Sequence, residues 1–414
     1  MSIQAIKGVK DILPEDMPAW QHLEATARAL FEDYGFSEIR VPIFEYTELF
    51  ARSIGASTDI VEKEMYTFED RDGRKITLRP EGTAGVVRAF VEHTMYADRA
   101  LAKLYYLGPM FRHERPQKGR QRQFHQIGVE LLGVAGPLGD IETIAIGAQV
   151  LEALGILPKT MLEINTLGDQ ESRGAYRAVL VRYFGGHRDK LSEDSLTRLE
   201  RNPLRILDSK DEGDRRVVAN APTFADYLTP AARDFFAKVR AGLDALGIPH
   251  QVNPRLVRGL DYYCHTAFEF TTTALGAQGT VLAGGRYDGL IGTMGGPETP
   301  GVGWAAGIER LAMLIAEPPA ATRPIAIVPI GEAAETVALT VAHDLRRAGC
   351  TVDLGYSGNL SKRMKRANKL KARYAVILGD DELQRGTATL RDLDSGEQEA
   401  IPLPQLQDRL AATR

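Results

Sequence analysis

Residues 111–130 read FRHERPQKGRQRQFHQIGVE and set Arg112, Arg115, Lys118, Arg120 and Arg122 among four glutamines before closing on Glu130. A guanidinium stays charged and can grip a phosphate through two parallel hydrogen bonds, so such a run suits a polyphosphate tail or a nucleic-acid end. The formal net charge of the chain is -4, which makes these cations a local concentration and not part of a basic coat. A second run, LVRGLDYYCHTAFEF at 256–270, puts Arg258 before a glycine and the pair Tyr262 and Tyr263, whose rings offer apolar walls with hydroxyl handles. A third, at 283–311, holds nine glycines between 284 and 307 and carries Arg310 near its end. Glycines at that density suit close approach of backbone to a ligand. Taken singly, each run also has a bland alternative: a solvated turn, a core strand with one surface arginine, a flexible loop.

The elements that must position these groups follow from periodicity. Alternation on both sides of a turn at 116–119 predicts a hairpin over 105–132. On its second strand Phe124, Gln126, Gly128 and Glu130 share one face, where the glycine is expected to clear space for a small polar ligand; Ile127, Val129 and Leu131 share the apolar face. Arg112 and Glu114 are expected on the same side as Met110. Helical spacing predicts helices over 15–34, 82–95 and 305–316, the last with Ala306 leaving room for a flat ring beneath Arg310. The run at 37–50 is β-prone, with Pro42 suiting an edge, and Asp72-Gly73 marks a hairpin over 66–78. Residues 170–249 turn helical and charged; strand character returns at 256–273 and 280–283, and 317–324, EPPAATRP, is a proline-bearing linker. The pattern after it is βαβαβ.

These elements predict an α+β domain over 1–324 interrupted by a helical insertion at 170–250. A C-terminal α/β domain with a mostly parallel sheet follows at 325–414.

Composition removes several classes. At 414 residues with 44% hydrophobic and 26% charged, the chain is globular and long enough for two or three domains. It has neither GxGxxG after a strand nor a P-loop, so phosphate must be held otherwise. Cys264 and Cys350 are too far apart in sequence to suggest a metal or disulfide pattern, and no acidic cluster suggests a dedicated metal cage. The start lacks a secretory pattern and no apolar run approaches ~20 residues, so a cytoplasmic protein with no membrane partner is expected.

Together these stretches resemble the class II aminoacyl-tRNA synthetases. FRHERPQKGRQRQFHQIGVE is similar to their second signature, GVGWAAGIERL to the third, and YGFSEIRVPIFEYTELF to the first, which in that family builds a homodimer interface. LVRGLDYY and AGGRYDGL resemble the two histidine-specific motifs of the histidyl-tRNA synthetase family, and KGVKDILP, TLRPEGT and the α/β tail extend the resemblance over nearly the whole chain.

The resemblance implies that 1–324 is a catalytic domain built on an antiparallel sheet flanked by helices, and it implies ATP-dependent activation of L-histidine and its transfer to tRNA-His, with Mg²⁺ accompanying the nucleotide and no dedicated metal site. Glu81, Thr83 and Gln126 would take the α-amino group, and Glu130, Tyr263 and Tyr287, with Tyr262 beside them, the imidazole. Arg112 and Arg258 would be catalytic, gripping the α-phosphate. Glu114 would read the adenine amino group, Phe124 and Arg310 would sandwich the ring, and Arg120 would reach the pyrophosphate. Arg115, Gln117 and Lys118 would meet the acceptor end of the tRNA, and Lys362, Arg363, Lys365 and Arg366, within seven basic residues at 362–373, the anticodon side. A solvated helix face is the alternative for that last cluster. The rival to the whole reading is a non-catalytic, synthetase-like regulatory subunit of histidine biosynthesis; such paralogues lose reactive residues, whereas this chain keeps Arg112, Arg258 and Arg310.

Overall fold

A computed structural model of the chain describes residues 3–55, 58–98, 101–276, 279–317, 320 and 322–411. Pro318, Pro319 and Ala321 of the expected linker lie outside them. The chain divides into two compact units, Met1–Pro319 and Ala320–Arg414.

The first unit is built on an eight-stranded sheet. Across it run Ser37–Glu38, Ala102–Phe111, Gln123–Leu132, Gly301–Gly307, Thr280–Arg286, Cys264–Thr271, Met161–Thr166 and His250–Val252. The inner strands pair antiparallel, and only the outermost pair on each side is parallel. One face is dry. Ile127, Val129 and Leu131 pack there with Leu23, Ala27 and Phe31 of the helix Met17–Asp33 and with Ile144, Val150 and Leu151 of the helix Pro137–Ala153. Trp304 is fixed in this core by its indole N–H, which donates to the Thr143 carbonyl at 2.8 Å. The same layer buries Arg286, whose guanidinium donates to the Asp140 carboxylate, to Asp288 (3.0 Å) and to the carbonyl of Val134 (2.8 Å). That pairing and those carbonyls offset the cost of taking two charges out of water.

The hairpin around Asp72-Gly73 forms as expected from Tyr66–Glu69 and Lys75–Leu78, joined by Phe44–Tyr46 into a three-stranded sheet. Asp70 closes the turn by accepting the backbone N–H groups of Asp72 and Arg74. The β-prone run at 37–50 does not stay extended: after Tyr46 it becomes the helix Thr47–Ile54. Phe50 and Ile54, four apart, enter a small core there, a helical spacing that the preceding β-branched residues conceal. The expected helix at 305–316 is also shorter. Its start is strand, Gly301–Gly307, and the helix is Ile308–Ala312.

Between 170 and 228 the helices Gln170–Gly185, Glu193–Arg201 and Glu212–Val218 enclose their own core of Tyr176, Leu180, Phe184, Leu199 and Val217. The helix Pro230–Ala245 instead sends Val239 and Leu243 into the main core. The small core is tied by Asp214, whose carboxylate accepts from the hydroxyls of Ser192 (2.7 Å), Ser195 (2.6 Å) and Ser209 (2.5 Å) and from the backbone of Ser192. Asp214→Ala removes the acceptor of all three hydroxyls and leaves that of Ser195, which is fully buried, without it, so it is expected to cost this module about 2 kcal/mol, seen as faster native-state proteolysis within 170–228.

The second unit carries a five-stranded sheet in the order Val352–Leu354, Ile325–Pro329, Tyr374–Leu378, Thr387–Asp392, Gln398–Pro402. The first three strands are parallel, as the βαβαβ pattern predicts; an antiparallel hairpin that the pattern leaves unplaced completes the sheet. The helix Glu332–Arg347 buries Ala334, Ala338, Ala342 and Leu345 against it.

Candidate active site

The sheet face opposite the dry core of the first unit opens as a cleft of about 320 Å³. Glu81, Thr83, Tyr106, Gln126 and Tyr263 line it together with Arg112, Arg120, Arg258 and Arg310, and Arg258 lies against Tyr263. Strand alternation explains the second strand of the hairpin, where Phe124 and Gln126 face the cleft while Ile127 and Val129 are core.

The part with the tyrosines is built around two carboxylates. Glu81 sits just before the helix Thr83–Glu92 and accepts the N–H groups of Thr83 (2.7 Å) and Ala84 (2.8 Å). Burial raises its pKa, and those backbone bonds oppose the rise. Glu130 is wholly buried, accepting from the Thr83 hydroxyl (2.6 Å) and the Tyr287 hydroxyl, and desolvation pushes its carboxyl up to about 8. Gly303 makes room for it: a Cβ there would stand 2.0 Å from the Glu130 carboxylate. Glu130 and Tyr287 thus stand behind Thr83, outside the cleft lining, while Tyr262 and Tyr263, 4.6 Å apart by ring centroids, line the cleft itself. The side-chain amide oxygen of Gln126, Oε1, is buried with no hydrogen-bond partner among the described residues.

The space beside Gly128 is not open. Tyr106, directly across the strand pair, fills it with its ring, and a Cβ on Gly128 would lie 2.5 Å from the phenol oxygen. Sequence reasoning missed Tyr106; its signal was a tyrosine in register with a glycine.

At the charged end each arginine is held from within the protein. Arg112 donates to the Pro80 carbonyl (2.8 Å) and lies over the Phe124 ring, 5.3 Å from its centroid. Both Arg112 and Glu114 lie just past the strand end at Phe111 and line the cleft. Arg120 and Glu114 approach to 2.5 Å as an ion pair, although without hydrogen-bond geometry. Arg310 donates to the carbonyls of Gly119 (2.8 Å) and Thr280 (2.7 Å). Arg310 and Phe124 line one cleft as expected, but Arg112 covers the phenyl ring. Ala306 is not beneath Arg310: it lies in the strand with its side chain in the dry core, and Ala305 and Gly307 line the cleft instead. Arg258 pairs with Glu269 and lies over Tyr263, 5.4 Å from its ring centroid. Glu269 was another omission from the sequence reading.

Arg115, Gln117 and Lys118 are exposed on the loop between the two hairpin strands. The base of that loop is pinned to the amino-terminal segment, since Arg122 donates its backbone N–H to the Gly8 carbonyl (2.7 Å) and its side chain to Lys7 (3.3 Å). In the second unit Lys362 and Lys365 are exposed on the helix Leu360–Lys369. Arg363 does not belong to an outward footprint. It is buried, donating to the Pro329 carbonyl and to Glu335 (2.9 Å). Arg366 is spread over the Asp353 carboxylate at 2.9 and 2.8 Å. Among the described residues no group of three or more His, Cys, Asp or Glu could hold a metal ion.

Two family models match the chain: Histidyl-tRNA synthetase over residues 8–311 and Anticodon binding domain over residues 324–413. The histidine–tRNA ligase of Rhodospirillum rubrum is 61% identical over 411 residues, covering 99% of both chains. That of Gluconacetobacter diazotrophicus is 54% identical over 410 residues, again covering 99% of each. Among solved structures, apo histidyl-tRNA synthetase of S. aureus superposes with a TM-score of 0.83 at 36% identity, covering 99% of this chain and 100% of that one. An ATP phosphoribosyltransferase regulatory subunit/histidyl-tRNA synthetase from Bacillus halodurans shares the fold at 19% identity, with a TM-score of 0.68 over 92% of this chain and 99% of its own.

Proposed function

The chain belongs to the histidyl-tRNA synthetase family and charges tRNA with histidine, and from that premise we propose how its cleft divides the work. One observation carries the assignment: a single cleft joins a pocket of carboxylates and tyrosines to a set of arginines. Histidine is neutral or cationic at its side chain and amino group, whereas ATP is polyanionic, so the two ends have complementary chemistry.

In this reading Glu81, Thr83 and the unpartnered side-chain amide oxygen of Gln126 receive the ammonium group. The imidazole meets Tyr262 and Tyr263, with Glu130 and Tyr287 reaching it from behind Thr83. The histidine carboxylate then attacks the α-phosphorus in line and pyrophosphate leaves. Charge grows on the phosphate oxygens during this step, where preplaced cations contribute most. Arg112 and Arg258 supply them at the α-phosphate and Arg120 at the pyrophosphate. Phe124 and Arg310 hold adenine, and Glu114 accepts from its amino group, which requires Arg112 to leave the phenyl face and Arg120 to loosen from Glu114. The residues do not fit a dedicated Mg²⁺ cage, because Glu81 and Glu269 are already bonded to backbone N–H groups and to Arg258; Mg²⁺ would come with the ATP and would help to neutralise its phosphates. The test is histidine-dependent exchange of pyrophosphate into ATP. Exchange is expected with histidine only; absence of exchange, or equal rates with other amino acids, defeats the assignment.

For the transfer step, the exposed loop residues Arg115, Gln117 and Lys118 meet the acceptor end of tRNA-His and Lys362 and Lys365 its anticodon side; Arg363 and Arg366 support the helix. Reversing both lysine charges, Lys362→Glu with Lys365→Glu, is expected to weaken tRNA binding about 10-fold and to flatten its salt dependence, read by filter binding across salt concentrations.

The reading includes a homodimer in the cytoplasm, where tRNA and ATP are found. Supporting the dimer, Ile43, Phe44, Tyr46 and Phe68 are all exposed on or beside the three-stranded sheet, a cluster of apolar side chains that water disfavours. Phe44→Asp is expected to yield monomers in sedimentation at micromolar concentration; an unchanged dimer would place the interface elsewhere.

A further inference from the structure

We infer that Glu269 is a positioning residue for the activation step, aiming Arg258 into the cleft and fixing it relative to Arg310. This rests on the reading of Arg258 given above. Glu269 lies on the strand Cys264–Thr271 between Phe268 and Phe270, both fully packed in the dry core, so its carboxylate is carried to the cleft face on a backbone with little freedom. One oxygen pairs with an Arg258 terminal nitrogen, and the other accepts from the Thr280 hydroxyl at 2.8 Å. The carbonyl of the same Thr280 accepts from Arg310 at 2.7 Å. A short chain of contacts, Arg258 to Glu269 to Thr280 to Arg310, thus ties together the two arginines assigned to opposite parts of the nucleotide.

Two further observations set this contact apart from a surface ion pair. Arg258 comes from irregular chain and has no strand of its own to orient it. Its Nε–H is buried with no hydrogen-bond partner among the described residues, and a terminal nitrogen is held by Glu269, so the carboxylate is the guanidinium's main anchor. In the sheet register Glu269 stands opposite Glu163, a like-charge cross-strand pair that disfavours the strand pairing. Glu163 turns to Asn253 at 2.7 Å, leaving Glu269 to Arg258 and Thr280.

A guanidinium released from its anchor reaches the phosphate in the wrong geometry, and misplacement on the scale of 1 Å costs about 100-fold in rate. With the full-length protein, Glu269→Gln is expected to lower kcat for histidine-dependent pyrophosphate exchange about 100-fold while the Kd for histidine stays within about twofold. Glu269→Asp, which keeps the charge on a shorter arm, should recover part of the loss. In an Arg258→Ala background the same Glu269→Gln change should add less than about twofold, since the group it aims is gone. Exchange by Glu269→Gln at the unmodified rate, a rate increase, or a full additional loss on top of Arg258→Ala overturns the inference. If Arg258→Ala itself exchanges normally, the assignment of Arg258 fails and the inference with it; if only Glu269→Gln is silent, Arg258 keeps its role.

Discussion

Arg258→Ala is expected to slow histidine-dependent pyrophosphate exchange about 10³-fold, an increase of about 4 kcal/mol in the barrier, while histidine still binds. The argument is one of timing. The guanidinium has no contact to offer the ammonium or imidazole of histidine, so ground-state binding of the amino acid does not depend on it. It meets the α-phosphate when charge is accumulating there, so its loss falls on the transition state. Rapid-quench measurement of adenylate formation, with histidine affinity followed by calorimetry, separates the two. Loss of both would point to a misfolded cleft, because Arg258 also lies over Tyr263 and anchors Glu269.

Glu130→Gln is expected to change function and stability in opposite directions. In the proposed reading the bound imidazole takes the proton of the Glu130 carboxyl and pairs with the resulting carboxylate; glutamine has no such proton to give, so kcat/KM for histidine should fall about 10²-fold. The stability effect follows from burial. Desolvation holds the folded carboxyl at about 8 against an ordinary value of 4.5. The folded state therefore binds that proton more tightly than the unfolded state, and the resulting stabilisation is complete below about 4.5 and lost as pH rises through about 8. Glutamine, neutral and nearly the same shape, can still bond the hydroxyls of Thr83 and Tyr287 and does not titrate. In the absence of histidine, melting temperatures across pH 5 to 9 should fall with pH for the unmodified chain more steeply than for Glu130→Gln, with the variant the more stable above pH 8. A parallel pair of curves would mean that Glu130 remains ionised in the fold.

Where local pattern and tertiary packing agree, the sequence was a good guide. The hairpin strand turned Phe124 and Gln126 to the cleft because strict alternation leaves one choice once Ile127, Val129 and Leu131 are core, while Glu130, on the same face, lies behind Thr83. What could not be read were pairings across strands. Tyr106 fills the gap at Gly128 only because the two are in register, and Glu269 meets Arg258 and Thr280 only because three separate segments converge. The tail lysines and arginines look alike in sequence, yet Arg363 is drawn inward by Pro329 and Glu335 while Lys362 stays outside. Burial of a charge is decided by partners far along the chain. The glycine run over 284–307 serves two ends that its spacing does not separate: Gly307 lines the cleft, while Gly303 admits the protein's own Glu130 carboxylate.

The order of strands in the large sheet also governs how this protein is born. Gln123–Leu132 has Gly301–Gly307 as its neighbour, and everything between them must be synthesised before that seam can close. At ribosomal speeds of 5–20 residues per second the first strand waits roughly 10–30 s with one edge unpaired. During that interval the nascent chain carries Arg112, Gln126 and Glu130 but lacks Arg310, and it has no floor on which a nucleotide could rest. Nucleotide binding by the ribosome-bound chain should therefore appear abruptly, once residues beyond 311 have cleared the exit tunnel, and before then the open edge is a point at which a chaperone would be needed.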